Sequence, residues 1–260
     1  MASRRPELGK WLLWKWFYND PAFRTYLPHT VRYTDEKLVS LLHQHQSVYV
    51  KPVAGARGKN IVKVNTLGDH FFVHAENKLP IRLDSQSALL RYLAKHRGRA
   101  AYIVQQDIRL AKINDRPFDI RVMMQKNAQG QWLCTGLCAK VAGPHSAVTN
   151  VARSRGHVVT VEKALKDSLR WSTGKIATTE KQLRELGFAT CKRLEMYQPY
   201  TEIGVDVGID AHGKIWMLEQ NTGPSHSLFR HLSDPSVYQL IQQTRRERIA
   251  ARSARRAVGK

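Results

Sequence analysis

Two hairpin patterns and several amphipathic helix patterns predict that this 260-residue chain folds as an α+β protein. Residues 202–224 hold two apolar runs around a turn sequence at 210–213, and residues 48–64 hold two strand-like runs around a glycine loop. Helical patterns with leucines on one side recur at residues 35–45, 85–95 and 178–198. The length suits one large domain or two small lobes.

The remaining elements follow from local patterns along the chain. Thr34 is placed to cap the helix over residues 35–45, an aromatic stretch at 10–18 is helical before Pro21, and a helix over 228–248 is interrupted near Asp234 and Pro235. Residues 1–10 are expected to be disordered and basic. Strand patterns occupy residues 47–53, 71–73, 100–104, 116–125 and 130–141.

The glycine loop at residues 55–58 is the first candidate binding feature. Gly55 and Gly58 let backbone N–H groups approach a phosphate, and Lys51 on the entering strand can supply a point charge. The spacing does not match a Walker A loop or a GxGxxG motif, because a strand pattern follows instead of a helix. Two alternatives remain, a flap over nucleotide phosphates and a plain β-hairpin with a surface lysine.

The hairpin at residues 202–224 is the second candidate. A four-residue loop pairs Ile209 with Lys214 and places Asp206 opposite Met217. Alternation then puts Glu219 and Asn221 on the face of Asp206, so two carboxylates and an amide oxygen crowd one surface. This oxygen set suits Mg²⁺, which relieves the repulsion between the carboxylates. The alternative is a solvated strand face, and a one-residue slip would remove Asp206 from the set.

Two further segments carry candidate polar groups. Asp119 and Arg121 share one face of the strand at residues 116–125, either in a functional site or as an ordinary cross-strand ion pair. The polar, cationic segment at residues 143–156 contains Asn150, Arg153 and Arg155, and is too long for a tight turn. It is either a substrate-facing loop or a flexible surface loop.

Composition bounds the class of protein. No apolar run approaches the roughly 20 residues of a membrane span. The three cysteines lack the spacing of a zinc site or a disulfide framework, so the cytoplasm is the simplest location. Cys134 and Cys138 are expected on one side of a buried strand. Lys and Arg number 42 against 21 Asp and Glu, a net charge of +21. This charge attracts polyanions in general, with a basic tail at residues 245–260 contributing most locally.

Taken together, the motifs resemble the ATP-grasp superfamily, and within it the YheC/YheD-like (endospore coat-associated) family. The similar segments appear in a fixed order between about residue 10 and residue 224. They are Tyr49-Val50-Lys51-Pro52 with the loop at 55–58; Tyr102-Ile103-Val104-Gln105-Gln106; Arg116-Pro117-Phe118-Asp119-Ile120-Arg121; Thr149-Asn150; Glu202-Ile203-Gly204-Val205-Asp206; and Trp216-Met217-Leu218-Glu219-Gln220-Asn221.

The resemblance implies an ATP-grasp fold of two α+β lobes with the nucleotide bound between them, and ATP and Mg²⁺ as cofactors. Four sets of residues then receive roles. The implied catalytic residues are Arg121 and Asn150, the implied metal ligands are Asp206, Glu219 and Asn221, and Lys10 or Lys15 is a further phosphate contact. The implied nucleotide contacts are Lys51, Gly55, Arg57, Gly58, Gln105, Gln106, Asp107, Ile108 and Asp119. Among these, the backbone of residues 105–108 receives adenine and Asp119 contacts the ribose.

The resemblance also divides the chain and shows where it departs from the family. The expected division is an N-terminal helical segment at 1–46, a small lobe with the glycine flap at 47–108, a large lobe with the metal site at 109–230, and a C-terminal helix and basic tail at 231–260. Compared with the family, the N-terminal region is expected to be truncated, because the residues before 47 are too few for the full domain that precedes this fold in many ligases. Two segments differ from the family pattern near the place where the acceptor substrate is expected to bind. They are Arg155-Gly156-His157 and Asn221-Thr222-Gly223-Pro224.

Three functions follow as hypotheses. The first is an ATP- and Mg²⁺-dependent ligase that forms an acyl-phosphate from a carboxylate and transfers the acyl group to an amine or thiol. The second is a non-catalytic, nucleotide-binding structural protein associated with the spore coat. The third is a basic nucleic-acid-binding protein, although no zinc finger, homeodomain or RNP pattern is present. The basic tail would add nonspecific polyanion binding in any of these cases.

Overall fold

A computed structural model describes residues 6–54, 60–75, 79–143 and 156–258. The described residues form two compact units, which divide between Arg109 and Leu110. The first unit contains residues 6–109, and the second contains residues 110–143 and 156–258. Within the described ranges, no helix is both long and apolar enough to cross a membrane.

The first unit is a six-stranded antiparallel sheet with helices. Its elements are α1 (Lys10–Tyr18), α2 (Pro21–Arg24), β1 (Thr30–Arg32), α3 (Asp35–His45), β2 (Ser47–Pro52), β3 (Val62–Leu67), β4 (His70–Ala75), β5 (Ile81–Leu83), α4 (Gln86–Arg97) and β6 (Tyr102–Gln106). The strand order is β1-β6-β2-β3-β4-β5. The helix patterns at residues 10–18, 35–45 and 85–95 are confirmed.

The helices α3 and α4 form because short-range caps and leucine spacing agree. The Thr34 side chain accepts a hydrogen bond from the backbone N–H of Lys37, and the Ser85 side chain accepts one from Ala88. The leucine faces of both helices pack on the sheet in one apolar core. Its helical members are Leu38, Leu41, Leu42, Leu89 and Leu93.

The second unit is a five-stranded antiparallel sheet with a short sixth strand beside it. Its elements are β7 (Lys112–Ile113), β8 (Arg116–Lys126), β9 (Trp132–Val141), β10 (His157–Val159), α5 (Val161–Leu169), α6 (Thr173–Glu195), β11 (Glu202–Ile209), β12 (Ile215–Asn221), a 3-10 helix (Ser227–His231) and α7 (Ser236–Val258). The order is β10-β9-β8-β11-β12, and β7 pairs with β8.

Helices cover both faces of the sheet in the second unit. Gly187 of α6 lies so close to β8 that an added Cβ would meet Met124 Sδ at 2.7 Å, so glycine is required there by packing. On the other face, Met123 packs with Phe229 and Ile241, from the 3-10 helix and α7. Arg121 lies two residues before Met123 and therefore shares the α7 face of the sheet.

A bulge in β9 overturns the prediction for two cysteines. Met123 pairs with Gly136 while Met124 pairs with Cys134, so Thr135 is an extra residue between them. Cys138 packs in the core on the α7 face. Cys134 instead lies near Arg184 of α6, on the opposite face. The extra residue reverses the alternation, and the prediction that Cys134 and Cys138 share a side is wrong.

Other boundaries differ from the sequence predictions. The helix α5 was not anticipated, and α6 begins at Thr173 instead of residue 178, because the Ser172 side chain caps it through the N–H of Lys175. The interruption near residues 234 and 235 is confirmed, since α7 begins at Ser236. Beyond it, α7 continues to Val258 and includes most of the basic tail.

Candidate active site

The hairpin of β11 and β12 forms as predicted, but its register differs. Ile209 lies opposite Ile215 instead of Lys214, and Asp206 lies opposite Glu219 instead of Met217. The reason for the first difference is a longer loop, in which the N–H of Asp210 donates to the carbonyl of Lys214 at 3.1 Å. The predicted register is therefore wrong at both positions.

The second difference comes from one extra residue in β12. Val207 pairs with Met217 and Asp206 pairs with Glu219, which leaves Leu218 without an opposite residue. Met217 turns to the other face, where its sulfur accepts a hydrogen bond from Thr190 of α6 at 3.6 Å. Asp206 and Glu219 nevertheless end up directly opposite each other.

The Asp206 carboxylate is surrounded by donors from three other strands. Arg121 of β8 binds it with two hydrogen bonds, Nε to Oδ1 at 2.7 Å and Nη2 to Oδ2 at 2.9 Å. Lys140 of β9 donates from Nζ to Oδ1 at 2.8 Å. Asn221 of β12 donates from Nδ2 to Oδ2 at 3.0 Å. Asp206 and Asn221, which were predicted as one set, are thus joined by Arg121, which was predicted separately.

Lys140 also reaches the second buried carboxylate. Its Nζ lies 2.9 Å from Oδ1 of Asp119, so one ammonium group bridges Asp119 and Asp206. Asp119, Arg121, Lys140 and Asp206 are each less than 9% exposed. With two carboxylates, one guanidinium and one ammonium, this buried quartet is electrically neutral by itself.

Lys140 was missed by the sequence analysis. The signal that could have found it is a lysine in an otherwise apolar strand, at an alternate position to Gly136 and Cys138. In the structure Lys140 is opposite Asp119, and Cys138 is opposite Arg121. That register places the Lys140 ammonium group beside the carboxylates of Asp119 and Asp206. The register depends on pairing between segments that are distant in the sequence.

The pKa shifts in the quartet follow from its ion pairs. Burial alone raises the pKa of the Asp206 carboxyl, but Arg121 and Lys140 outweigh burial and hold that pKa well below its ordinary value. Burial lowers the pKa of the Lys140 ammonium, and Asp119 and Asp206 more than reverse this, so its pKa is raised. Asp206, Lys140 and Arg121 are therefore charged at neutral pH.

The quartet changes the argument for a metal ion. The sequence suggested Mg²⁺ as the cation that relieves repulsion between Asp206 and Glu219, whereas in the structure Arg121 and Lys140 already neutralise Asp206 together with Asp119. In the described part of the chain, no group of three or more His, Cys, Asp or Glu side chains is arranged to hold a metal. The case for Mg²⁺ therefore depends on the oxygen atoms of Asp206, Glu219 and Asn221.

These three side chains fit Mg²⁺ by their donor chemistry. Glu219 is exposed, stands opposite Asp206, and has no hydrogen bond or ion pair with the described residues. Asn221 uses its amide nitrogen on Asp206, which leaves its amide oxygen as a metal ligand. Two carboxylates and an amide oxygen are the ligand types that Mg²⁺ prefers. Because each Asp206 oxygen already accepts two hydrogen bonds, Mg²⁺ at Asp206 would replace one of them, whereas Glu219 is available as it stands.

Gly204, beside the quartet, is closely packed by two neighbouring side chains. A Cβ added at Gly204 of β11 would lie 2.8 Å from Pro224 Cβ and 3.0 Å from Arg121 Nη1. Glycine thus lets the segment after Asn221 pack against the arginine that binds Asp206.

Replacing this glycine is therefore expected to destabilise the second unit. Gly204→Ala should lower the free energy of unfolding by about 1–3 kcal/mol, because Pro224 or Arg121 must shift. Gly223→Ala is the matched control, since no atom lies within 4 Å of an added Cβ there. Urea unfolding of both variants measures the difference, and equal stabilities would contradict the packing argument.

In the first unit, Lys51 belongs to a polar chain with Gln105. Its Nζ donates to Gln105 Oε1 at 2.6 Å, and Gln105 Nε2 donates to the Thr30 hydroxyl at 2.9 Å. The Lys51 ammonium also lies 4.9 Å from the centre of the Tyr49 ring. These contacts fix the direction of the lysine, while its role at a phosphate stays a prediction.

The predicted adenine linker has two of its N–H groups already engaged. Gln106 N–H donates to the carbonyl of His29 at 2.8 Å, and Asp107 N–H donates to that of Ser47 at 3.1 Å. The Asp107 carboxylate binds Lys63 at 2.7 Å, and Ile108 is nearly buried. Adenine binding through those two N–H groups would displace protein hydrogen bonds, so the carbonyls of this segment are the better candidates.

Other predicted site residues are placed differently or lie outside the described residues. Lys10 begins α1 and its N–H donates to the Val53 carbonyl, whereas Lys15 is an exposed residue of the same helix. Neither position decides between them as a phosphate contact. The residues outside the described ranges are Gly55, Arg57, Gly58 and Asn150, together with the loop at 144–155.

The chain has the ATP-grasp fold. A solved structure of the ATP-grasp ligase PsnB, complexed with a phosphomimetic variant of a minimal precursor, Mg and ADP, aligns with a TM-score of 0.51 and 13% identity. The alignment covers 91% of this chain and 58% of that one. At this identity the likeness establishes the fold.

Within that class, the chain belongs to the YheC/D-like ATP-grasp family, whose family model matches residues 3–247. It is 26% identical over 248 residues to the endospore coat-associated protein YheD of Bacillus subtilis (strain 168), and 22% identical over 242 residues to YheC of the same organism. These matches cover 92% and 89% of this chain, but only 52% and 64% of the two relatives.

Proposed function

We propose that this protein binds Mg·ATP and acts as an ATP-dependent ligase that activates a carboxylate for attack by an amine or thiol. The observation that carries the proposal is the pair of facing residues Asp206 and Glu219, with Asn221 beside them, on a strand face that also holds Arg121 and Lys140. This set combines oxygen ligands for a cation with cationic groups for phosphate oxygens. Family membership supports the same reading.

The proposed reaction has two steps. A carboxylate oxygen of the substrate bonds to the γ-phosphorus of ATP, and the bond from that phosphorus to ADP breaks. The nitrogen or sulfur of the second substrate then bonds to the acyl carbon, phosphate leaves, and the proton of the nucleophile passes to solvent. Bound Mg²⁺ would neutralise charge on the phosphate oxygens.

The chain's own contribution is charge and position. Arg121 and Lys140 are held by Asp206 and Asp119 in the buried quartet, so their positions are fixed before any substrate arrives. Fixed donors cost no reorganisation when negative charge develops, which is the main source of catalysis in phosphoryl transfer. In the first unit, Lys51 is the proposed phosphate contact.

The test of the site uses Glu219→Gln, with Glu185→Gln as control. We expect wild type to bind Mg·ATP in calorimetry, EDTA to abolish that binding, and Glu219→Gln to weaken it at least about tenfold, because a lost charged ligand costs about 1.5–3 kcal/mol. Glu185 is exposed on α6, so its variant should bind as wild type does.

The more severe variant combines Glu219→Ala with Asn221→Ala. Unchanged Mg·ATP affinity in this double variant would remove the site assignment altogether. Turnover needs a separate measurement, release of ADP when candidate acids and amines are supplied together. Binding without ADP release across a broad panel would leave a nucleotide-binding protein that is not a ligase.

One observation favours that non-catalytic alternative. Both oxygens of Asp206 already accept hydrogen bonds from Arg121, and Lys140 and Asn221 add one each, so the cluster is stable without a metal. Such a cluster could persist for structural reasons alone. The names of the relatives, which describe endospore coat association, are compatible with a structural role on the spore.

A second observation favours polyanion binding as an accessory property. The exposed side of α7 presents Arg245, Arg246 and Arg252, whereas Arg248 is used in contacts with Glu202. Replacing the three exposed arginines by Gln should remove any salt-sensitive binding of nucleic acid and leave Mg·ATP binding unchanged.

A further inference from the structure

A pair of histidines in the first unit is not used by the proposed reaction. His29 Nδ1 lies 3.1 Å from His45 Nε2, and the two rings meet nearly edge to face, with an interplanar angle of 82°. The pair is open to solvent, because His29 is exposed and His45 is half-buried. Two ring nitrogens this close share a single proton or a single positive ion.

Both histidines are held by well-defined backbone. The backbone N–H of His29 donates to the Gln106 side-chain oxygen at 3.2 Å, and the backbone carbonyl of His29 accepts from the backbone N–H of Gln106 at 2.8 Å. His45 is the last residue of α3, and the helix closes behind it when the Gln46 N–H donates to Leu42 at 2.8 Å. The pair is therefore positioned by strand β6 and by a helix end, and not by a chance approach of two surface side chains.

The spacing of the pair matches a metal chelate. Two imidazole nitrogens on a tetrahedral zinc ion, at about 2.0–2.1 Å each, lie about 3.3 Å apart. The observed separation is close to this, so each ring needs to turn only enough for its lone pair to meet a common ion. The carbonyl end of α3 adds a partial negative charge beside His45, which also favours a cation.

We propose that His29 and His45 form a binding site for a borderline transition metal ion such as Zn²⁺ or Ni²⁺, with water completing the coordination. Imidazole nitrogen suits these ions, whereas Mg²⁺ prefers oxygen ligands. The site is thus chemically distinct from the oxygen set of Asp206, Glu219 and Asn221, and it stands independently of the proposed ligase activity. A bound ion would join the C-terminal end of α3 to the segment before β1.

Calorimetric titration with Zn²⁺ tests the site, using His29→Ala, His45→Ala and the control His43→Ala. His43 is exposed on α3 two residues before His45, so its variant should bind as wild type does. The expected result is one Zn²⁺ bound per wild-type chain, with affinity at least about tenfold weaker in each of the other two variants. Glu219→Gln should leave this binding unchanged.

X-ray absorption at the zinc edge provides a measurement that needs no variant. One equivalent of Zn²⁺ on the wild-type chain should show two imidazole ligands at about 2.0 Å. The proposal is overturned if wild type binds no Zn²⁺, if either alanine variant binds as tightly as wild type, or if the bound ion has fewer than two imidazole ligands.

Discussion

Replacing Lys140 with methionine is expected to destabilise the second unit by about 3–5 kcal/mol, the usual cost of removing one partner from a buried ion pair. Methionine keeps much of the length of the lysine stem but removes the ammonium group that lies 2.9 Å from Asp119 and 2.8 Å from Asp206. Arg121 would then be the single cation of the quartet beside two buried carboxylates. Urea unfolding at neutral pH measures the loss.

The control is a lysine–aspartate pair of equal length on the surface. Lys163 Nζ lies 2.8 Å from Asp167 along α5, and the lysine side chain is 62% exposed. Lys163→Met should therefore cost no more than about 0.5 kcal/mol. The contrast between the two lysines measures burial together with the second carboxylate at Lys140, because the charged atoms lie equally close in both places.

A compensating substitution tests whether charge balance is the cause. Adding Asp119→Asn to Lys140→Met leaves one cation, Arg121, and one carboxylate, Asp206, so the double variant should be more stable than Lys140→Met alone. If Asp119→Asn lowers stability further in that background, the neutral-quartet explanation is wrong. The cycle is informative because the residues are in direct contact.

The parts of the fold that depend on short-range signals were predictable. The cap of α3 is a contact between Thr34 and the N–H three residues later, so its signal lies within one helical turn. The hairpin at β11 and β12 was predicted from its apolar runs and the turn that follows Ile209. Family motifs then supplied the fold class, because their order along the chain is itself a long-range pattern.

Two of the failures share one physical cause, a single extra residue in a strand. Leu218 in β12 and Thr135 in β9 each reverse the alternation of side chains between faces. Neither residue type marks a bulge, and the bulge is favoured by pairing with a distant strand. Asp206 and Glu219 were therefore correctly predicted to lie close together, although the register that led to this prediction was wrong. The prediction for Cys134 and Cys138 failed.

Lys140 illustrates the other limit of sequence reasoning. A lysine in an apolar strand becomes interpretable only when its partners are known, and both carboxylates come from other strands. The sequence indicated that cations were needed between the carboxylates, and it assigned that role to Mg²⁺. That role concerned Asp206 and Glu219, whereas in the structure Arg121 and Lys140 neutralise Asp206 and Asp119. The proposed metal is then left to a partly exposed set of oxygen ligands.

The second large effect is expected at Glu202, which fixes α7 to the sheet. Its carboxylate binds Arg248 Nη2 at 2.6 Å, His226 Nε2 at 2.8 Å and Gln125 Nε2 at 3.1 Å. Gln242 Nε2 lies 3.1 Å from the other nitrogen of the His226 ring. One carboxylate thus connects α7, the segment after β12 and strand β8.

These contacts make the stability of the second unit depend on pH. Burial raises the pKa of the Glu202 carboxyl, but hydrogen bonds from His226, Arg248 and Gln125 outweigh burial and lower that pKa from 4.5 to about 2. A lowered folded-state pKa means that the stabilisation is fully present above pH 4.5 and is lost as the pH falls through about 2. The shift corresponds to at most about 3 kcal/mol at neutral pH, because solvent screens part of the interaction at this half-buried group.

Glu202→Gln separates this carboxyl from the other acidic groups. Wild type should exceed the variant by at most about 3 kcal/mol in free energy of unfolding at pH 7, and by less than half of that at pH 3, because the unfolded-state carboxyl is then protonated while the folded-state carboxyl is still mostly ionised. Glu247→Gln, on the exposed side of α7 beside Arg248, should change stability by about 0.5 kcal/mol or less at either pH. A difference between wild type and Glu202→Gln that stays constant from pH 7 to pH 3 would mean that packing of the side chain, and not its charge, holds α7 against the sheet.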